Sequence, residues 1–241
     1  MILVGSTSSP PFGLLCINLA MYFIMSIIGA TTDAKADAPI ISSNITSNLS
    51  NVSNISLGGV AILNIGVIEA GSGDLSENQE KYSLNITSTG DLTNLSLGNS
   101  SASLRIGEVN VDKITGQVRI IADSRSIYNI APGAGANAEV MIGNLLGEEI
   151  ANAHLEVHLK KNLTNFAGGN QAYATTSIGK INSHGKIDKA YLNINVIDNI
   201  FNISASDHGH SQISVGEITG SGSAEVKIDT EALSSLIFCA D

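Results

Sequence analysis

Residues 129–143 read NIAPGAGANAEVMIG, and residues 165–179 read NFAGGNQAYATTSIG. Each begins on an Asn followed by an apolar and then a small residue, and each ends on Ile-Gly, 36 residues apart. Working outward, the closing pair recurs as Ile65-Gly66, Ile106-Gly107, Ile142-Gly143, Ile178-Gly179 and Val215-Gly216, at spacings of 41, 36, 36 and 37. The opening triplet recurs as Asn54-Ile55-Ser56, Asn94-Leu95-Ser96, Asn129-Ile130-Ala131, Asn165-Phe166-Ala167 and Asn202-Ile203-Ser204, at spacings of 40, 35, 36 and 37. Two markers that keep step over four intervals define a repeat, and a fixed period of this size is the signature of stacked architectures.

A third marker is an alternating segment upstream of each Asn. It reads Leu84-Asn85-Ile86, Val118-Arg119-Ile120, Leu155-Glu156-Val157 and Leu192-Asn193-Ile194, with a further start at Val226-Lys227-Ile228. In the first unit, Asn44-Ile45-Thr46 resembles Asn85-Ile86-Thr87. Inside the units the pattern has period two, as in Ala102-Ser103-Leu104-Arg105-Ile106 and His154-Leu155-Glu156-Val157-His158-Leu159. Alternation puts one set of side chains inward and the other in solvent, which is a half-buried strand. The expected fold is all-β: a β-solenoid of about five ~36-residue repeats, with like residues over like. The alternative is an antiparallel β-sandwich, which also carries turns at regular spacing. In the solenoid the Asn markers would form a hydrogen-bonded ladder. The Gly after Ile would sit at the bend, since Gly accepts φ > 0.

The chain has 241 residues and a formal net charge of −10, with 43% hydrophobic, 14% charged and 4% aromatic residues and no Trp. The core must therefore come from Ile, Leu, Val and Ala. Nucleic acid is excluded as a partner, because phosphate binding needs clustered Lys and Arg. With 23 Asn and 24 Gly the chain favours turns and short strands over long helices.

Residues Phe12 to Ala30 form an almost unbroken apolar run, followed by Ala34-Lys35-Ala36. The small-x-small pattern predicts a signal peptide over residues 1–36, cleaved after Ala36. An uncleaved anchor is the alternative, since a run of ~19 apolar residues can span a bilayer. The segment before Phe12 lacks the usual Lys or Arg. The repeat domain is expected over 37–229, with residues 230–241 as a C-terminal tail, either a short helical cap or a last strand. Only Cys16 and Cys239 exist, so the mature chain would keep one thiol and no internal disulfide.

The features resemble secreted bacterial repeat proteins of the β-solenoid, adhesin or fibre type. Gly169-Asn170-Gln171-Ala172 and Gly135-Ala136-Asn137-Ala138 resemble the curlin repeat, although curlin units are shorter and their regularly placed Gln residues have no counterpart here. The resemblance implies a structural role outside the cell, at the cell surface or in a matrix.

No catalytic, cofactor-binding or metal site is expected. His154, Glu156 and His158 would share one strand face, but the zinc-protease pattern needs a helix and a different spacing. Asp207-His208-Gly209-His210 reads as a polar turn, and neither group supplies four zinc ligands. No nucleophile elbow or phosphate-cradling Gly-rich loop is present. Asn-x-Ser/Thr triplets at Asn44, Asn48, Asn51, Asn54, Asn85, Asn94, Asn99, Asn162 and Asn202 would be glycan acceptors in a eukaryotic secretory protein. The same triplets arise automatically from an Asn-apolar-Ser alternation. The expectation is an exported, non-enzymatic structural or adhesive protein, with self-association or surface components as partners and the membrane involved only through the N-terminal segment. A carbohydrate- or ligand-binding extracellular module is the alternative.

Overall fold

The computed structural model describes residues 14–17, 23–28, 42–69, 81–98, 101–110, 113–206 and 208–238. The cleavage point after Ala36, Asp207 and Cys239 lie outside them. The strands, in chain order, are β1 (Leu14–Ile17), β2 (Phe23–Ile28), β3 (Ser42–Leu49), β4 (Val52–Ser56), β5 (Val60–Glu69), β6 (Lys81–Ser88), β7 (Leu92–Ser96) and β8 (Ala102–Asn110). There follow β9 (Lys113–Ser124), β10 (Ile127–Ala131), β11 (Asn137–Gly147), β12 (Glu149–Leu159), β13 (Leu163–Gly168), β14 (Tyr173–Ala205) and β15 (His210–Phe238).

These strands wind into a solenoid with three faces, and every strand pairing is parallel. Parallel ladders exclude the antiparallel sandwich. The first face stacks β1, β4, β7, β10, β13 and the ends of β14 and β15. The second stacks β2, β5, β8, β11 and the starts of β14 and β15. The third stacks β3, β6, β9, β12 and the middles of β14 and β15. Of the two conformations expected for the tail, the strand is the one present: Leu233–Phe238 pair with Ile200–Ala205.

The markers align as the repeat requires. Ile65, Ile106, Ile142, Ile178 and Val215 occupy one column on the second face. Asn54, Asn94, Asn129, Asn165 and Asn202 occupy one column on the first. The third marker needs a correction at two rungs. Leu84 and Leu155 both pair with Ile120, not Val118, and Ile45 pairs with Leu84, not Ile86. Each is a two-residue offset, which leaves the inward set inward because the side-chain period is two.

Burial follows the alternation: β4, β7 and β10 each read buried at their first, third and fifth residues. The interior is a continuous cluster of Ile, Leu and Val, among them Leu63, Leu104, Ile106, Ile142, Leu155 and Ile194. Burying each such side chain contributes about 1.5–3 kcal/mol. A separate cluster of small residues, including Ala102, Ala131, Ala138, Ala167 and Ala174, lines the corner where the first and second faces converge. The side chains there are small, so the two sheets approach closely enough for side-chain amides to bridge them.

Gly66, Gly107, Gly143, Gly179 and Gly216 all have left-handed φ, from 60° to 71°. At Gly143 a Cβ would lie 2.7 Å from Val157 Cγ2, and at Gly179 it would lie 2.5 Å from Ile194 Cδ1. The bend from second to third face thus needs Gly twice over: for its backbone conformation and for the room that the next face's apolar side chains occupy.

Candidate functional site

The Asn column is the most constrained polar feature. All five side chains are fully buried. Asn129 Nδ2 donates to Ala102 O and Glu139 O across the small-residue corner, each at 3.0 Å. It also donates to Asn165 Oδ1 at 2.8 Å, while its own Oδ1 accepts from Asn94 Nδ2 at 2.8 Å. The same pattern holds along the column: Asn54 donates to Asn94, and Asn165 donates to Asn202. Each amide therefore joins two rungs and two faces. Burial decides the reading of three sequons. Asn54, Asn94 and Asn202 are inaccessible to a glycan in the folded chain, whereas Asn48, Asn51 and Asn85 are exposed.

The third face carries the remaining chemistry. His154, Glu156 and His158 do share one side of β12, as the alternation requires. Glu156 sits between the two imidazoles: His154 Nε2 hydrogen-bonds Oε1, and His158 Nε2 lies 3.7 Å from Oε2. The His154 hydrogen bond outweighs desolvation and, with the charges of His154, Arg119 and His158, holds the Glu156 carboxyl below its ordinary value. Among the described residues no group of three or more His, Cys, Asp or Glu has a geometry that could hold a metal ion. The second histidine pair is split: His208 is exposed in the turn, while His210 opens β15 beside Tyr173, with ring centroids 6.1 Å apart.

Sequence reasoning missed one partner. Tyr191 lies on the rung after His154, and the two rings stack at 4.7 Å with a 20° interplanar angle. Aligning Leu155-Glu156-Val157 with Leu192-Asn193-Ile194 would have placed Tyr191 there. Beside this stack lies an open groove of about 440 Å³, lined among others by Gln117, Asn152, Ala153, His154, Lys189 and Tyr191.

The last rung differs from all the others. Val226 and Ile228 continue the inward columns of Leu192 and Ile194, yet they are 45% and 44% exposed because no strand pairs beyond them among the described residues. Ile213, Val215 and Ile218 of the same rung are partly buried against the core. The Gly220–Gly222 stretch cuts the corner: a Cβ at Gly220 would lie 2.8 Å from Ile187 Cδ1, so this bend covers Ile187.

Among the described residues no helix is long and apolar enough to cross a membrane. No family model, curated protein or solved structure matches the chain.

Proposed function

We propose that the chain is an exported, non-enzymatic structural or adhesive protein of the cell surface or matrix. One observation carries the reading: like side chains stack in unbroken columns on parallel ladders, from Ile65 to Val215 and from Asn54 to Asn202. Such a stack is stiff along its axis and offers a long, flat polar side. The apolar run Phe12–Ala30, ahead of Ala34-Lys35-Ala36, supports export. The experiment is fractionation of cells expressing the full chain, with N-terminal sequencing of the product. Recovery outside the cell or on its surface, starting at Asp37, is expected. Retention in the cytoplasm with residues 1–36 intact would overturn the reading.

The groove beside Tyr191 favours a second reading, an extracellular module that binds an extended carbohydrate chain. The amides of Gln117 and Asn152 and the Tyr191 ring in its lining suit hydroxyl-rich ligands. Screening the full chain against a glycan array separates the two. Retention of a glycan that Tyr191→Ala abolishes would favour the module, and no retention favours the structural protein.

A further inference from the structure

The two ends of the stack are complementary halves of one internal junction. Along the third face, β15 uses one edge to pair with β14, and its other edge is unpaired among the described residues. At the opposite end β3 pairs only with β6, so its outer edge is also unpaired among them. An open strand edge is a template for another strand. Over residues 223–230 β15 pairs with β14 in parallel and unbroken register, so this stretch of its edge presents what β14 presents to it.

We infer that β15 receives β3 of a second copy of this chain, head to tail, with Thr46 beside Lys227 and Asn48 beside Asp229. This rests on the reading of the chain as a structural rod and names its partner. The columns set the register. Ile45 continues through Leu84, Ile120, Leu155 and Leu192 to Val226, so a following rung places a second Ile45 on Val226 and a second Ser47 on Ile228. The half-exposed Val226 and Ile228 are then covered as Leu192 and Ile194 are.

Charge selects this occupant over a tail-to-tail contact. The outward residues of the last rung are Glu225, Lys227 and Asp229, all exposed. They meet the uncharged Thr46 and Asn48 of the incoming rung. Two β15 edges meeting antiparallel about Lys227 would instead set Lys227 against its copy and Glu225 against Asp229, like charges directly opposed. On the first and second faces β1 and β2 pair with β4 and β5. Contact therefore starts on the third face and extends to the first once residues 14–17 have left, which sets β4 over the end of β15. A heterologous contact of this kind does not close, so the product is a filament.

The test is a pair of cysteines, T46C with K227C, in the full chain with C16S and C239S. Within one molecule these positions are separated along the column by Asn85, Ile121, Glu156 and Asn193. At ~4.8 Å per rung they stand about 24 Å apart, beyond the roughly 7 Å that a disulfide can bridge. A ladder of covalent multimers from the double variant, with neither single variant cross-linking, is the expected result. Disulfide dimers from K227C alone, or no multimers from the pair, would overturn the proposal. V226K with I228K changes exposed side chains and so spares the monomer. Sedimentation at high concentration should show association weakened at least tenfold, with unaltered circular dichroism. Unchanged association, or a monodisperse parent protein, overturns the docking alone; export and surface location stand or fall on the fractionation.

Discussion

Asn129 shows how little freedom a residue on the central column has. Its amide donates to Ala102 O, Glu139 O and Asn165 Oδ1 and accepts from Asn94. Asn129→Ala strands several buried partners, each costing about 1–3 kcal/mol, so a loss of about 3 kcal/mol or more is expected in urea unfolding. Asn129→Asp keeps the shape but turns the donor into an acceptor and buries a charge against carbonyls. It should destabilise more than Ala does, and a smaller loss would contradict the ladder. Glycine gives a graded comparison. Gly143 and Gly135 have nearly the same φ, 64° and 65°, but a Cβ at Gly135 meets nothing closer than Asn170 O at 3.9 Å. Gly135→Ala should cost only the left-handed penalty of about 1–2 kcal/mol, and Gly143→Ala visibly more, because of Val157. Glu156 supplies the pH dependence. Its folded carboxyl is held below its unfolded value of about 4.3. Its contribution is thus present above that value and lost as pH falls through the lower folded one. Thermal melts of Glu156→Gln should fall below the parent at pH 6–7, by less than about 1 kcal/mol, and the gap should shrink as acid protonates the carboxylate. A gap that stays constant on acidification would exclude the carboxylate as the cause.

At the level of strands, the legible part of the fold was the part with fixed spacing. The Ile-Gly and Asn columns could be read because 35 to 37 residues separate most copies, and a Gly or a buried Asn is chemically irreplaceable at its position. The third marker was misread at Ile120 and Ile45 because only the alternation of apolar residues defined it there, and alternation is blind to a two-residue slip. Corner lengths add to the ambiguity: Asn182 to Lys186 on one rung spans the same corner as Thr219 to Ser221 on the next. Counting residues across such a corner cannot give the register. The Tyr191–His154 stack was within reach of the sequence, because Leu155-Glu156-Val157 and Leu192-Asn193-Ile194 align in the true register and place Tyr191 on His154. β11 offers a test of the column logic. Ile142 is buried between Ile106 and Ile178, so Ile142→Ala should cost about 2–5 kcal/mol. An equal truncation at Val226, open to solvent, should cost well under half of that.

As a whole, the molecule is close to one-dimensional, because each rung contacts chiefly its neighbours. Stability should therefore be graded along the axis. In hydrogen exchange the backbone of β10, β11 and β13 is expected to be slowest, and residues 221–229, exposed throughout on the last rung, fastest. Uniform protection from end to end would argue for a single all-or-none unit. The amide column adds a property that no single rung has. From Asn54 to Asn165 each Nδ2 donates to the Oδ1 of the Asn on the following rung, so the side-chain dipoles add and polarise one another. The column behaves as a one-way wire of partial charge, positive toward Asn202 and negative toward Asn54. Rods that line up in a common direction reinforce this axial field, while rods meeting nose to nose oppose it.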